Sequence, residues 1–129
     1  MSKLDKKSII GITALLVHAA NIDEIYTEHE KNLVKNFIKS YLKDEDENKI
    51  LNEAENIEKN SNQLLSYTNI IKQNSIEIKK DIIEHLWKVI ISDNTVDQYE
   101  SNLMRRVCGL IYFPDKESAE IKLKLLNNK

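Results

Sequence analysis

One cysteine, one proline and two glycines in 129 residues rule out several kinds of protein at the outset. With Cys108 alone, an intrachain disulfide cannot form and a cysteine-based zinc site has no ligand set, which fits a reducing compartment. Two Gly and one Pro leave little of the turn punctuation that many-stranded folds need, so helices are favoured. No stretch approaches the roughly 20 apolar residues needed to cross a bilayer. The N-terminus, Met1 to Lys7, leads into a segment interrupted by Thr13 and His18 rather than into a signal core. The chain is therefore expected to be soluble, cytoplasmic and not inserted in a membrane. A surplus of one charge is also missing. Nineteen basic against 21 acidic residues give a net charge of −2, with no general attraction to nucleic acid or to an anionic surface.

Catalytic furniture is missing as well. The sequence has no Ser or Cys nucleophile in a recognisable elbow, no Gly-rich phosphate loop and no zinc-protease helix signature. Cys108 falls on an apolar stripe, and Gly-poor helical hairpins suggest no substrate cleft. The expectation is a protein that binds rather than turns over. Apolar residues at 41% suffice for one core, and the length fits one domain over 1–129.

Hydrophobic periodicity predicts an all-α bundle of about seven helices. Ile9, Ile12, Leu16 and Ala19 place a first helix over about Asp5 to Ala20. A second runs from Thr27 to Leu42 on Leu33, Val34, Phe37, Ile38 and Tyr41, opened by the capping box Thr27-x-x-Glu30. The acidic run Asp44 to Glu47 reads as a solvated connector and helix start. Ile50, Leu51, Ala54 and Ile57 mark a third helix, and Leu64, Leu65, Thr68 and Ile71 a shorter fourth; both read as peripheral. Asn74-x-x-Glu77 is expected to cap a fifth, apolar over most of its circumference and hence central. Asp97-x-x-Glu100 opens a sixth, ending before Phe113-Pro114. Asp115 is expected to cap a Lys-rich seventh reaching about Leu126.

Sliding the chain by 70 residues reveals an internal repeat. The segment from Asp23 to Glu30 overlies that from Asp93 to Glu100, while Ile12 matches Ile82, Leu16 matches Leu86, Asn32 matches Asn102, Leu33 matches Leu103, and Lys35 overlies Arg105. Each half reads apolar helix, short acidic loop, capped apolar helix. Placement carries more weight here than identity, because an Asp, an apolar residue three later, a cap four later and a Glu seven later recur at the same point of the hydrophobic pattern.

The repeated pattern Asp-x-x-apolar-x-x-x-Glu resembles that of the tellurite-resistance TerB-like family, and is similar to the TerB-like N-terminal region of the co-chaperone DjlA. The likeness is closest in the second half, in Leu86-Trp-Lys-Val-Ile-Ile-Ser-Asp93, Val96-Asp-Gln-Tyr-Glu100 and Arg105-Arg-Val107. Glu24 and Asn94 stand where the family usually has Gly. What the resemblance implies is a compact helical fold built around two helix-loop-helix units. It also implies a divalent-cation site formed by Asp23, Glu30, Asp93 and Glu100, and a link to tellurite and stress resistance. Converging carboxylates suit Ca²⁺ or Mg²⁺, hard cations that take oxygen ligands. The loops are not EF-hands, because twelve-residue counting puts Val34 and Met104 where a bidentate Glu belongs.

A second account of the same residues stands beside the first. Thr27 with Glu30 and Asp97 with Glu100 satisfy capping-box logic without any metal, and Asp is a common turn former. The chain then reads as an interaction module with a protein partner, docking through the acidic connector or the last helix. His18, His29 and His85 are expected to be structural or surface groups, and Trp87 and Met104 core residues.

Overall fold

The computed structural model of the chain describes residues 5–21, 27–60, 64–91 and 98–127. These form seven helices with no strand among the described residues: α1 Lys6–Ala20, α2 Glu28–Tyr41, α3 Glu47–Asn60, α4 Leu64–Lys72, α5 Ile76–Ile90, α6 Gln98–Ile111 and α7 Asp115–Asn127. The all-helical expectation is met. The repeat is met in its geometry too, since α5 begins and ends 70 residues after α1, and α6 begins and ends 70 residues after α2. Even the N-caps correspond. The Asp5 carboxylate accepts from the Ser8 amide at 2.7 Å, and the Ser75 hydroxyl accepts from the Ile78 amide at 3.4 Å, each satisfying an amide that the first turn leaves unpaired.

The molecule is organised around α1. Ten of its fifteen residues are buried, because α2, α3, α4 and α5 all pack against it. Its sequence permits this, being apolar nearly all round. The one polar exception within the core stretch, Thr13, is fully buried but donates its hydroxyl to the Ile9 carbonyl at 2.6 Å, so burial leaves nothing unsatisfied. α1 is thus the more deeply enclosed helix, while α5, which buries six residues, touches more helices, α1, α2, α4, α6 and α7, and is central in that sense, as expected. On α5 the polar residues Asp81, Glu84 and His85 stand where α1 has Gly11, Ala14 and Leu15. They limit how far that helix sinks into the core.

Nor are α3 and α4 peripheral. Ile50, Leu51 and Ala54 of α3 and Tyr67 and Ile71 of α4 belong to the common core, and both helices lie on α1. Polar ties fix α3: Lys6 reaches Glu45 at 2.7 Å just before its start, and Glu58 meets His18 and Asn21 at 3.3 Å near its end. Glu47 meets Lys39 at 3.3 Å, so the acidic connector is partly pinned by lysines rather than wholly solvated.

Two predicted caps shift by one residue. Asn74 closes α4, its side chain donating to the Ile70 carbonyl at 2.7 Å, which leaves Ser75 to cap α5. Asp115 is the first residue of α7 rather than its cap, and the Pro114 carbonyl accepts from the Ser118 amide. That proline suits a helix entry, where a missing N–H costs nothing. Trp87 is core, as its spacing predicts. It is 5% exposed, its indole N–H donates to the Ser118 hydroxyl at 2.9 Å, and Lys122 lies over its ring, binding α7 to α5.

Candidate functional site

At the start of α2, Thr27 is extended at φ −84° and ψ 164°, a conformation that leaves its hydroxyl facing the first turn. The Glu30 amide donates to Thr27 Oγ1 at 3.1 Å. In return Glu30 Oε1 accepts from the Thr27 amide at 2.8 Å and from its hydroxyl at 3.1 Å. The reciprocal capping box predicted from Thr27-x-x-Glu30 is thus complete. Glu30 is also 7% exposed, unusual for a carboxylate in a first turn. It stands with Glu28 in the first turn of α2, at the positive end of the helix dipole, where acidic side chains are stabilising.

Where this turn lies relative to the rest of the bundle follows from two contacts further along α2. Tyr41 donates its phenol to Asp81 Oδ2 of α5 at 2.6 Å, and one turn earlier Phe37 meets the His85 ring edge-on, centroids 5.1 Å apart. A step of four back along α2 is a step of four forward along α5, so the two helices run antiparallel. Continuing one more turn brings Val34 to the level of Val89, both buried, and then the turn holding Glu30 to the C-terminal end of α5 at Ile91. The first described residues of α2 and the last of α5 therefore share one end of the bundle.

Of the four proposed cation ligands, Glu30 is the one whose side chain is described. Glu100 lies in the first turn of α6, where the helix backbone is described. Asp23 and Asp93 fall outside the described residues, as does the alternative cap Asp97. Among the described residues no group of three or more His, Cys, Asp or Glu side chains is arranged to hold a metal.

The histidines occupy three different settings. His29 is exposed, His18 faces Glu58 at 3.3 Å, and His85 is packed on Phe37 with Asp81 3.6 Å from its Nε2. Burial holds His85 below the ordinary histidine range, partly offset by the Asp81 charge. Tyr41 is pushed up, first by burial and then by its hydrogen bond to Asp81. Nothing in the sequence pairs Tyr41 with Asp81, forty residues on; only the antiparallel packing of α2 on α5 brings them together. Cys108 is buried and reduced, with its thiol pushed up by burial, which suits a packing role rather than a nucleophile.

No described helix is long and apolar enough to cross a membrane. No curated protein and no solved structure matches the chain. The sequence model of the family described as Tellurite resistance protein TerB matches residues 10–123, from within α1 through α2–α6 to within α7. With that match over nearly all of its length, the chain belongs to the TerB family.

Proposed function

We propose that this TerB-family chain is a non-catalytic cytoplasmic module that binds a divalent cation, Ca²⁺ or Mg²⁺, through Asp23, Glu30, Asp93 and Glu100, and that it serves a tellurite or general stress response. The observation that supports this reading is the antiparallel register of α2 on α5, because it sets the N-terminal turn of one repeat against the helix end of the other. Carboxylates drawn from both repeats at one end of a bundle would repel one another unless protons or a cation neutralised them. A buried Glu30 whose Oε1 is already oriented by Thr27 is restrained in the way a ligand set requires.

Calorimetry on chelator-stripped protein tests the reading. A saturable site for Ca²⁺ or Mg²⁺ is expected, weakened by Asp23→Asn and by Asp93→Asn alike, and weakened as pH falls into the carboxylate range. At a cation concentration 100 times the Kd, thermal denaturation should report stabilisation of about 2.7 kcal/mol. Absence of binding by Ca²⁺, Mg²⁺ and Mn²⁺ at millimolar concentration would remove the cation reading.

A second reading is favoured by the completeness of the capping box itself. If the acidic residues do no more than cap helices, the chain is an adaptor for a protein partner. Thr27→Ala then costs about 1 kcal/mol whether or not chelator is present, and a pull-down recovers the same partner in both conditions.

A further inference from the structure

The corner where α5, α6 and α7 meet encloses a cavity of about 330 Å³, at the lower end of the range for small-molecule sites. Trp87 and Met104 line it but are only 5% and 1% exposed, so a solute entering from water meets little of either. What it meets is polar: Ser101 and Arg105 on α6, and Asp115 and Lys122 on α7. Arg105 and Asp115 are exposed and Ser101 and Lys122 half-buried, which leaves all four side chains within reach of a dissolved ligand.

Opposite charges sharing so small a cavity would ordinarily pair. Among the described residues, however, Arg105, Asp115 and Lys122 form no ion pair. Two of the three have another reason to stay where they are. Asp115 is in the first turn of α7, where a negative charge complements the helix dipole. Lys122 lies two turns further on with its ammonium 5.3 Å from the centre of the Trp87 ring, and that ring is itself fixed by the bond from its indole N–H to Ser118 at 2.9 Å. A cation placed by an aromatic face, rather than by a carboxylate, keeps its charge available to a ligand.

The ligand chemistry follows by complement. An inorganic dianion would satisfy the two cations but be repelled by Asp115, and a singly charged anion would leave one cation unmatched. A small solute with two carboxylates and one ammonium pairs every charge. The planar guanidinium of Arg105 suits a carboxylate in particular, because its parallel N–H donors match the two oxygens.

We propose that this cavity binds a free acidic α-amino acid, aspartate or glutamate. One carboxylate pairs with Arg105 and accepts from the Ser101 hydroxyl, the other pairs with Lys122, and the ammonium pairs with Asp115. Arg105 and Trp87 are positions at which the repeats diverge, standing where the first half has Lys35 and Val17. The site shares no residue with the cation reading, so each stands or falls without the other.

Calorimetry of the full chain with glutamate at constant ionic strength, followed in parallel by the emission of the sole tryptophan, Trp87, tests the proposal. Saturable one-to-one binding with a Kd of about 1 mM is expected. The emission should change over the same concentrations, because Lys122 lies on the ring. Glutarate, which lacks the ammonium, and glutamine, which lacks the second carboxylate, should each bind about tenfold more weakly. Arg105→Gln should weaken glutamate about tenfold. Asp115→Asn should reduce glutamate to the affinity of glutarate without weakening glutarate itself. Both side chains are exposed, so both variants should melt close to the parent. The proposal is overturned if glutamate fails to saturate, if heat appears without a change in Trp87 emission, or if glutarate or glutamine binds as tightly as glutamate. It is equally overturned if Asp115→Asn retains the preference for glutamate over glutarate.

Discussion

The two halves of the molecule share helix boundaries at a constant spacing of 70 residues, yet they are packed differently. On α5, the face carrying Asp81 and His85 receives α2, through Tyr41 and Phe37. The matching face of α1 carries Gly11 and Leu15, and there it is α4 that arrives, with Ile70 against Gly11. If the halves were related by a strict two-fold, α6 would occupy that place. Instead α6 packs on α4, which lies on α1, so α4 stands between the repeats as a wedge. The sequence difference has a physical sense: Gly11 and Leu15 offer a close, apolar seat for a short helix, whereas Asp81 and His85 offer polar groups to the end of a long one. Equivalent secondary structure thus follows from the repeated pattern of apolar positions and caps, while tertiary placement is decided by the few positions at which the repeats diverge.

The sharpest divergence is at Trp87, which occupies the position of Val17 in the first half. Both are buried, but Trp87 also joins α5 to α7 through Ser118. Trp87→Ala should cost about 3–5 kcal/mol, enough to threaten a domain of this size, and Val17→Ala about 2 kcal/mol. Urea denaturation followed by far-UV circular dichroism measures both. Equal costs would mean that Trp87 does no more as an anchor of α7 than Val17 does as an ordinary buried core residue.

How much of this could be read from the sequence differs by level. All seven helices follow from periodicity, and the repeat locates α1, α2, α5 and α6 in equivalent positions, because apolar spacing and capping chemistry are local. The central place of α5 is legible from its wide apolar face, and that helix does touch five others; the small residues Gly11, Ala14, Ala19 and Ala20 mask how completely α1 is enclosed. The importance of α3 and α4 was likewise hidden, since their modest stripes acquire weight only when laid on α1. At the candidate site, the Thr27–Glu30 box is legible from four residues of sequence. The Tyr41–Asp81 pair is not, because partners forty residues apart have no signature until the packing of α2 on α5 is known.

A smaller divergence concerns acid. His85 stands where the first half has Leu15, and burial keeps its folded-state pKa below the ordinary value of 6.5. Protons therefore bind the unfolded chain first: stability is at its full value above about pH 6.5 and declines as pH falls through the window from there down to the depressed folded value. The facing groups are Asp81 on its own helix and the Phe37 ring on α2. His85→Leu makes the second repeat resemble the first and should flatten the thermal stability profile across that window. A profile unchanged by the substitution would assign the acid sensitivity to carboxylates elsewhere.

The smallest expected effect is at the end of the second helix of the second repeat, at Tyr112 after α6, compared with Leu42 after α2. Leu42 has φ −127°, open to any residue, whereas Tyr112 has φ 60°, the left-handed region. There the Phe113 amide donates to the Cys108 carbonyl at 2.9 Å and the Tyr112 amide to the Gly109 carbonyl at 3.4 Å, the paired bonds of a Schellman motif, in which the left-handed residue is usually Gly. A side chain in that conformation costs about 1–2 kcal/mol. Against this, the ammonium of Lys72 lies 4.7 Å from the centre of the Tyr112 ring, and at a site 70% exposed such a contact returns about 0.5 kcal/mol. Glycine also loses more freedom on folding. Tyr112→Gly is therefore expected to stabilise the protein by about 0.5 kcal/mol, whereas Leu42→Gly destabilises it by about 2 kcal/mol, because Leu42 packs partly buried against the core and no strain is there to relieve. Paired melting curves decide it. Destabilisation by both would mean that the Lys72 contact, rather than the backbone, governs how the second repeat ends.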